Sequence, residues 1–422
     1  MLTSKYLQHK ETIHNFIWRV LQIGGKQGIT FLIFILAAKL LIPNNFGIYN
    51  YVLAIVFLLI VFADFGISTA TSKYVAEYNV TDKEKLKSVL FNSGTIILGL
   101  TIMISLIIIS FGKFYLGDKY VYVLYLLPLI FLIPMTSLYD GIYRGLKKFK
   151  HLSIISILVG LFSLSFVYLL IKQYGLIGAL ISQNLFYFIL FLALAFGYKE
   201  FHFKLNKSVM KEIGKYAFLI GIINFSYFLY TRMDIIILGG YDYIIEIGYY
   251  EIINKFLMLL TLPFLIFAQI SAPNIVKYFS EGKKTVIILK LKKYIKFAFI
   301  FSCIGSILAF FIIFLVIKYF LVEYNHPSIL IILPIFLFVF IFQSVASLVG
   351  NTFIISTGHA KLNMINLIIF GILNVILGVI FVNYFGFIGI AYSKIIVGIT
   401  ASLSLIFFYY LKISKESALN IK

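Results

Sequence analysis

The chain has 422 residues, of which 62% are hydrophobic and only 12% are charged, and its mean hydropathy is +1.02. This composition excludes a large soluble domain and indicates an integral membrane protein. The formal net charge of +20 would suggest a nucleic-acid partner in a soluble protein. Here the basic residues lie in loops between apolar segments, so the charge indicates membrane topology and requires no nucleic acid.

Long apolar segments recur along the chain, and several reach the ~20 residues that a helix needs to cross a hydrocarbon core of about 30 Å. The uncharged ones are 89–111, 121–139, 152–171, 174–198, 297–317, 328–357 and 362–393. Weaker or charge-bearing ones lie near 17–40, 48–70, 213–238, 248–272 and 394–411. Because they are apolar on all sides and do not alternate, we predict an all-α protein with about twelve transmembrane helices, and no β-barrel.

Lysine and arginine concentrate in alternate loops, at 73–87, 144–150, 199–215 and 277–296, whereas the intervening loops carry few. This positive-inside pattern predicts a multi-pass protein of the cell membrane with both termini in the cytoplasm. The polar, basic segment before Trp18 is read as a cytoplasmic start and not as a signal peptide. The loop lysines are expected to contact anionic lipid headgroups.

Several familiar kinds of site are missing from the sequence. Cys303 is the only cysteine, and the histidines are scattered without an HExxH motif, so we predict no disulfide, metal site or cofactor. The sequence also lacks a glycine-rich phosphate loop, a GxSxG motif and a large loop domain. We therefore expect that the protein is not an enzyme.

Ionised side chains interrupt some of the predicted helices, at a cost of roughly 2.5–3.5 kcal/mol each on insertion scales, and so mark candidate functional positions. In the first half these are Arg19, Lys26 and Asp64. Arg19 and Lys26 share a helix face; Arg19 can instead extend to the interface, whereas Lys26 favours a polar cavity. Asp64 is a candidate for ion coupling, and the alternative is that it caps a helix break at Gly66.

In the second half, the segment from Phe228 to Phe256 carries most of the intramembrane charge. Arg232 and Asp234 are separated by about 200° around a helix, so they must face different partners. Glu251 and Lys255 are one turn apart, and a local ion pair is the alternative to a functional role. The tyrosines of this segment are expected to form an interfacial belt, or to stack on sugar rings. Lys394 lies early in the last predicted helix.

The second half of the chain repeats motifs of the first half in the same order. The segment 174–182, YGLIGALIS, matches 385–393, FGFIGIAYS, and 46–52, FGIYNYV, matches 247–253, IGYYEII. We therefore predict two pseudo-symmetric six-helix lobes, at 1–198 and 213–422, joined by a basic cytoplasmic linker at 199–212. Such an arrangement predicts a cleft between the lobes that holds the substrate of a transporter.

The charges inside the predicted helices are mostly positive. The cations, which we predict to bind substrate, are Arg19, Lys26, Arg232, Lys255 and Lys394. The acids, which are candidates for proton or sodium coupling, are Asp64, Asp234 and Glu251. This balance suits an anionic substrate, particularly a phosphate, better than a cationic drug.

Four segments resemble a known family. YTRMDIIILGG and EIGYYEIINKF resemble the seventh-to-eighth helix signature of the prokaryotic oligosaccharide/polysaccharide flippases, and NNFGIYNYV and ADFGISTATSKYVAEY resemble their first-to-second helix segment. The resemblance implies a MATE-like fold whose cavity is lined largely by helices 1, 2, 7 and 8. It implies that polyprenyl-phosphate- or pyrophosphate-linked oligosaccharides move from the cytoplasmic to the outer leaflet.

We therefore expect a flippase for surface polysaccharide or glycan biosynthesis that works by alternating access. Its partners would be the lipid-linked oligosaccharide, membrane lipids, and glycosyltransferases or a polymerase of the same pathway. Three alternatives stay open: a cation-coupled multidrug exporter, a membrane glycan polymerase or ligase, and a non-transporting assembly scaffold.

Overall fold

A computed structural model describes residues 2–198 and 203–419, without the side chains of 2–17, 19, 22 and 417–419. Its contacts divide the chain into two units, Met1–Phe225 and Ser226–Lys422. The boundary between these units falls inside a helix, Lys207–Thr231. The limits that the sequence suggests, at 198 and 213, stay predictions.

The first unit is built from helices separated by short turns. They are α1 (Leu2–Leu40), α2 (Pro43–Asp64), α3 (Ile67–Thr81), α4 (Lys83–Leu116), α5 (Tyr120–Tyr125), α6 (Leu129–Gly145), α7 (Phe149–Phe196) and the first part of α8 (Lys207–Thr231). A single 3₁₀ turn, Gly117–Lys119, joins α4 to α5.

The second unit continues in the same way from the end of α8. Its helices are α9 (Met233–Gly240), α10 (Ile244–Ser280), α11 (Lys284–Tyr319), α12 (Pro327–Val349), α13 (Ala360–Phe385) and α14 (Ile388–Leu419). A 3₁₀ turn, Val322–Tyr324, precedes α12, and a π-helical turn, Gly350–Ile354, follows it. Every regular element in residues 2–198 and 203–419 is therefore helical, as the sequence predicts.

Ten helical segments within the described ranges are long and apolar enough to cross a membrane. The 48-residue α7 is two helices joined at Gly175, and α6 has 17 residues. If the two halves of α7 are counted as two spans and α6 is counted as one more, the number of transmembrane spans rises from ten to about twelve, by the same length rule. The prediction of an all-α, multi-pass membrane protein is confirmed. The cytoplasmic location of the termini stays a prediction.

The repeated glycine motif makes the same turn in both units. Gly175 has φ 54° and Gly386 has φ 61°, a left-handed conformation that side chains with a Cβ rarely adopt. Three residues later, a Cβ on Gly178 would collide with the carbonyl oxygen of Leu170, and one on Gly389 with that of Phe381. Each motif thus folds a helix back closely onto the one before it, as the sequence repeat predicts.

Helices α3 and α6 of the first unit pack closely through small residues. Gly141 and Gly145 are one turn apart on α6, and they face Ser68 and Ser72 of α3. A Cβ at Gly141 would lie 2.5 Å from the carbonyl oxygen of Ser68, which is backbone and cannot rotate away. Small residues at this spacing allow helices to approach within a membrane, where packing replaces the hydrophobic effect.

We expect that Gly141→Ala destabilises the protein, because the added methyl group overpacks a rigid contact at a cost of about 1–3 kcal/mol. The matched control is Gly99→Ala, since no atom lies within 4 Å of a Cβ at that helical position. Thermal unfolding in detergent should show a lower midpoint for Gly141→Ala, and an unchanged or higher one for Gly99→Ala. Equal midpoints for the two variants would contradict the close α3–α6 contact.

Candidate functional site

The charged segment of the second unit surrounds a break between two helices. Helix α8 ends at Thr231, Arg232 has φ −129° and ψ −15°, and α9 begins at Met233. The break disturbs the regular ladder of backbone hydrogen bonds inside an apolar segment. Within a membrane such a break requires side chains of neighbouring helices to hydrogen-bond the backbone.

Two side chains from later helices supply these hydrogen bonds. The Asn374 amide of α13 donates to the carbonyl oxygen of Leu229 at 3.0 Å. The Lys394 ammonium of α14 donates to the carbonyl oxygen of Tyr230 at 3.1 Å. The last turn of α8 is therefore tied to α13 and α14 just before the break.

The same two side chains also bind Asp234, whose side chain is completely buried. Lys394 Nζ lies 2.6 Å from Asp234 Oδ2, and Asn374 Nδ2 donates to Oδ1 at 2.8 Å. The Tyr250 hydroxyl donates to Oδ2 as well. The buried carboxylate thus has a counter-ion and two further donors, which is the condition for a stable charge away from water.

A second ion pair joins Arg232, the residue at the break, to Glu251 of α10. Nη1 of Arg232 contacts both carboxylate oxygens of Glu251, at 3.0 and 2.9 Å, and Asn254 donates to one of them at 3.3 Å. The Glu251 side chain is only 6% exposed, whereas that of Arg232 is 34% exposed. The Glu251 carboxylate is therefore the more deeply buried partner of the pair, and the Arg232 side chain is the more exposed one.

These contacts answer several expectations about the charged segment. Arg232 and Asp234 do face different partners. Glu251 pairs with Arg232, whereas the sequence offered Lys255 as its local partner. Lys255 itself is half-buried one turn further along α10. Tyr250 is fully buried, so neither an interfacial belt nor sugar stacking describes it.

In the first unit, Asp64 lies at the junction between α2 and α3. Its carboxylate accepts hydrogen bonds from the backbone N–H groups of Gly66, at 3.2 Å, and Ser68, at 3.1 Å, and from the Ser68 hydroxyl. These contacts are those of a residue that caps the start of a helix. Lys26 is exposed on α1. The side chain of Arg19 lies outside the described residues.

Asp234, Tyr250, Asn374 and Lys394 together form the Asp234 network. The sequence repeat shows which residues the first unit carries at two of these positions. Tyr49 corresponds to Tyr250 and Gln183 to Lys394, and Gln183 Nε2 donates to the Tyr49 hydroxyl at 2.5 Å. No acidic residue occurs in α1 between 16 and 40. The shared architecture is therefore compatible with neutral residues here, and the charges are a particular feature of the second unit.

The sequence arguments missed Asn374, and they assigned Tyr250 to another role. The sequence repeat contained a signal for Tyr250, since Tyr250 and its counterpart Tyr49 occupy the same position of the matched segments 247–253 and 46–52. For Asn374 the signal is weaker, since it is one of four asparagines in the apolar α13 and nothing in the sequence sets it apart from the other three. No group of three or more His, Cys, Asp or Glu that could hold a metal occurs in the described part of the chain.

Comparison with known proteins agrees with this architecture. Residues 12–279 match the family described as polysaccharide biosynthesis protein. An uncharacterised membrane protein of Methanocaldococcus jannaschii is 27% identical over 404 residues, 89% of this chain and 92% of that protein.

Two solved structures show the fold. An inward-facing multidrug resistance MATE family transporter superposes with a TM-score of 0.78 at 17% identity, over 93% of this chain and 95% of that one. The lipid II flippase MurJ, in an inward closed conformation, superposes with a TM-score of 0.70 at 19% identity, over 97% of this chain and 90% of that one.

The fold and the apolar helices define a multi-pass membrane protein with a MATE-like fold. Since the family match covers more than half of its length, the chain belongs to the polysaccharide biosynthesis protein family. The resemblance noted in the sequence is thereby confirmed.

Neutralising one partner of the Asp234–Lys394 pair should destabilise the protein, because the other charge stays buried and uncompensated. Lys394→Gln alone or Asp234→Asn alone is expected to cost about 3–5 kcal/mol. The double variant Asp234→Asn/Lys394→Gln should lose much less stability than the two single variants together, since glutamine already fills the corresponding position of the first unit. Thermal unfolding of the four proteins measures this coupling, and strictly additive losses would show that the pair does not interact.

Proposed function

We propose that the protein is a flippase that moves polyprenyl-phosphate- or pyrophosphate-linked oligosaccharides from the cytoplasmic to the outer leaflet of the cell membrane, by alternating access. Membership of the polysaccharide biosynthesis family supports the glycan part of this proposal. The fold shared with a structure named as a lipid II flippase supports the lipid-linked part. Glycosyltransferases or a polymerase of the same pathway would supply or consume the substrate.

The observation that carries the proposal is the hydrogen bonding and the exposure of the Arg232 side chain. Glu251 engages only Nη1 of its guanidinium, and among the residues whose side chains are described no hydrogen bond from Nε or Nη2 is found. The side chain is one-third exposed. An arginine whose Nη1 is held by a carboxylate, and whose Nε and Nη2 have no hydrogen bond to the described residues, keeps donors with which a guanidinium can bind a phosphate through two parallel hydrogen bonds.

Other cations of the predicted helices are proposed as further contacts to phosphate or sugar. Lys255 lies one turn after Glu251 and is half-buried, so its charge adds to the positive potential around Arg232. Lys26 is exposed on α1, and Arg19 precedes it by two turns. A site with this sign disfavours cationic drugs, which argues against a multidrug exporter on the same fold.

The Asp234 network is proposed as the coupling element. Lys394 neutralises Asp234 in the present arrangement. If Asp234 took up a proton, the attraction would be lost and the Lys394 ammonium could turn towards an anionic substrate. Asn374 offers a buried acceptor, its Oδ1, that no donor in the described residues uses, and a protonated Asp234 could donate to it after rotation of the amide. We assign Asp64 the capping role and retain Glu251 as the anchor of Arg232.

The proposed site can be tested by translocation of a fluorescent polyprenyl-pyrophosphate oligosaccharide in reconstituted vesicles. Arg232→Gln/Glu251→Gln removes the guanidinium without leaving a buried carboxylate unpaired. Translocation should fall at least tenfold, and it should be abolished when Lys26→Ala is added. Each interaction of a charged donor with phosphate stabilises by about 1.5–3 kcal/mol, which accounts for this loss.

The matched control is Lys85→Gln/Glu212→Gln, which removes an ion pair of 3.0 Å at the ends of α4 and α8. Its translocation should stay near that of the wild type. Full activity of the Arg232→Gln/Glu251→Gln protein, with its fold intact, would remove Arg232 from the site. Drug resistance of expressing cells without lipid translocation would favour the multidrug exporter.

Coupling is tested by imposing a proton gradient across the same vesicles. Wild-type translocation should respond to the gradient, whereas Asp234→Asn/Lys394→Gln should translocate at a rate that no longer depends on it. The control is Asp64→Asn, which removes a capping carboxylate and should keep the gradient response. A double variant that responds like the wild type would exclude the Asp234 network as the coupling element.

A further inference from the structure

A groove of about 600 Å³ runs between α11 and α14 of the second unit. Its walls are mostly aliphatic and aromatic. The lining residues are Leu291, Lys292, Ile295, Leu403, Ser404, Ile406, Phe407 and Tyr410. Grooves that hold a small ligand have volumes of roughly 300–1,000 Å³, so this one is large enough for part of a lipid.

The helical period explains why the groove is open. On α14, Leu405, Tyr409 and Ile413 point into the core and are almost completely buried. The adjacent face carries Leu403 and Phe407, which are one turn apart and 51% and 56% exposed. Large apolar side chains exposed along a continuous stripe of a membrane protein are expected to contact lipid.

One end of the groove is strongly positive. The segments 277–296 and 412–416 contain nine lysines and two glutamates. Both glutamates are engaged: Glu281 with Lys283 at 2.7 Å, and Glu416 with Lys284 at 3.5 Å and His359 at 2.9 Å. The remaining positive charge at this end is therefore not balanced by carboxylates of these segments.

Lys292 places part of that charge at the groove itself. Its ammonium lies 5.8 Å from the centre of the Tyr410 ring, and it forms no ion pair with any described residue. Ser404 is also a polar residue of the lining, but its hydroxyl already donates a hydrogen bond to Asn366 Oδ1 at 2.8 Å. The groove thus has an apolar body, with a cation and a tyrosine hydroxyl as its polar groups.

We propose that this groove binds an anionic phospholipid of the surrounding membrane, with an acyl chain along Leu403 and Phe407 and the phosphate beside Lys292 and Tyr410. Basic pockets between transmembrane helices are suited to acidic headgroups, and the lysine-rich end of α11 complements the negative surface of a cytoplasmic leaflet. The site is separate from the Arg232 region, which contributes none of its lining residues, and it binds a lipid that is not transported.

Native mass spectrometry of the full-length protein in detergent, titrated with phosphatidylglycerol or phosphatidylcholine, tests the proposal. The wild type should bind phosphatidylglycerol more tightly. Lys292→Gln should weaken phosphatidylglycerol binding about fivefold, the equivalent of about 1 kcal/mol per basic residue near a membrane surface, and leave phosphatidylcholine binding unchanged. Leu403→Trp, which fills the groove, should remove the tightest lipid adduct for both lipids.

Two matched variants separate the groove from general charge and bulk effects. Lys318→Gln removes a lysine at the opposite end of α11, and Leu308→Trp adds the same ring at an exposed position outside the groove. Both should bind lipid like the wild type, and all four variants should unfold near the wild-type temperature without added lipid. Equal weakening by Lys292→Gln and Lys318→Gln, or unchanged binding to Leu403→Trp, would overturn the proposal.

Discussion

A helix break inside an apolar segment must have its backbone carbonyls satisfied by the protein, because the lipid around it offers no hydrogen bond. At the end of α8 this role falls to Asn374 and Lys394, which reach the carbonyl oxygens of Leu229 and Tyr230. Lys394 brings a positive charge into the interior, and that charge in turn requires Asp234. The break, the network and the packing of three helices therefore depend on one another.

Two ion pairs with different properties lie at and just after the break. Asp234 is closed off from the surface, whereas Arg232 keeps a third of its side chain exposed while Glu251 holds it from the buried side. Because the Asp234–Lys394 pair is buried, it can be broken only by a proton that reaches Asp234 or by a conformational change. A side chain that is one-third exposed can be reached by a ligand without such a change. This difference is the physical reason for assigning coupling to the first pair and substrate contact to the second.

The two units show which of these features the architecture itself requires. Both use a left-handed glycine, Gly175 or Gly386, to reverse the chain, and a second glycine to let the helices touch. At the Lys394 position the first unit has only Gln183, bonded to Tyr49. A neutral hydrogen bond is sufficient there, where α1 continues without a break, so the charged pair is particular to the second unit and to its broken helix.

Much of the fold could be predicted from the sequence, because length and apolarity decide which segments cross a membrane and the glycine motif marks the repeat. Helix geometry also predicted that Arg232 and Asp234 do not pair with each other, but the sequence did not predict that the helix breaks at Arg232. The partners of Arg232 and Asp234 did not follow from the sequence either. Asp234 and Lys394 are distant in the chain, and only the packing of α9 against later helices brings them together. Local spacing pointed to Lys255 as the partner of Glu251, because an ion pair on one helix is the only one that a sequence displays directly. Asn374 gives no periodic signal at all.

The central claim is that the protein recognises the phosphate of a lipid-linked glycan through Arg232. The most direct measurement is the equilibrium binding of purified protein to a polyprenyl-pyrophosphate oligosaccharide, compared with a neutral polyprenyl glycoside and with a cationic drug. The account predicts that only the pyrophosphate-bearing lipid binds tightly, and that its affinity falls as salt concentration rises. Equal affinity for the neutral glycoside, or tighter binding of the cationic drug, would contradict it.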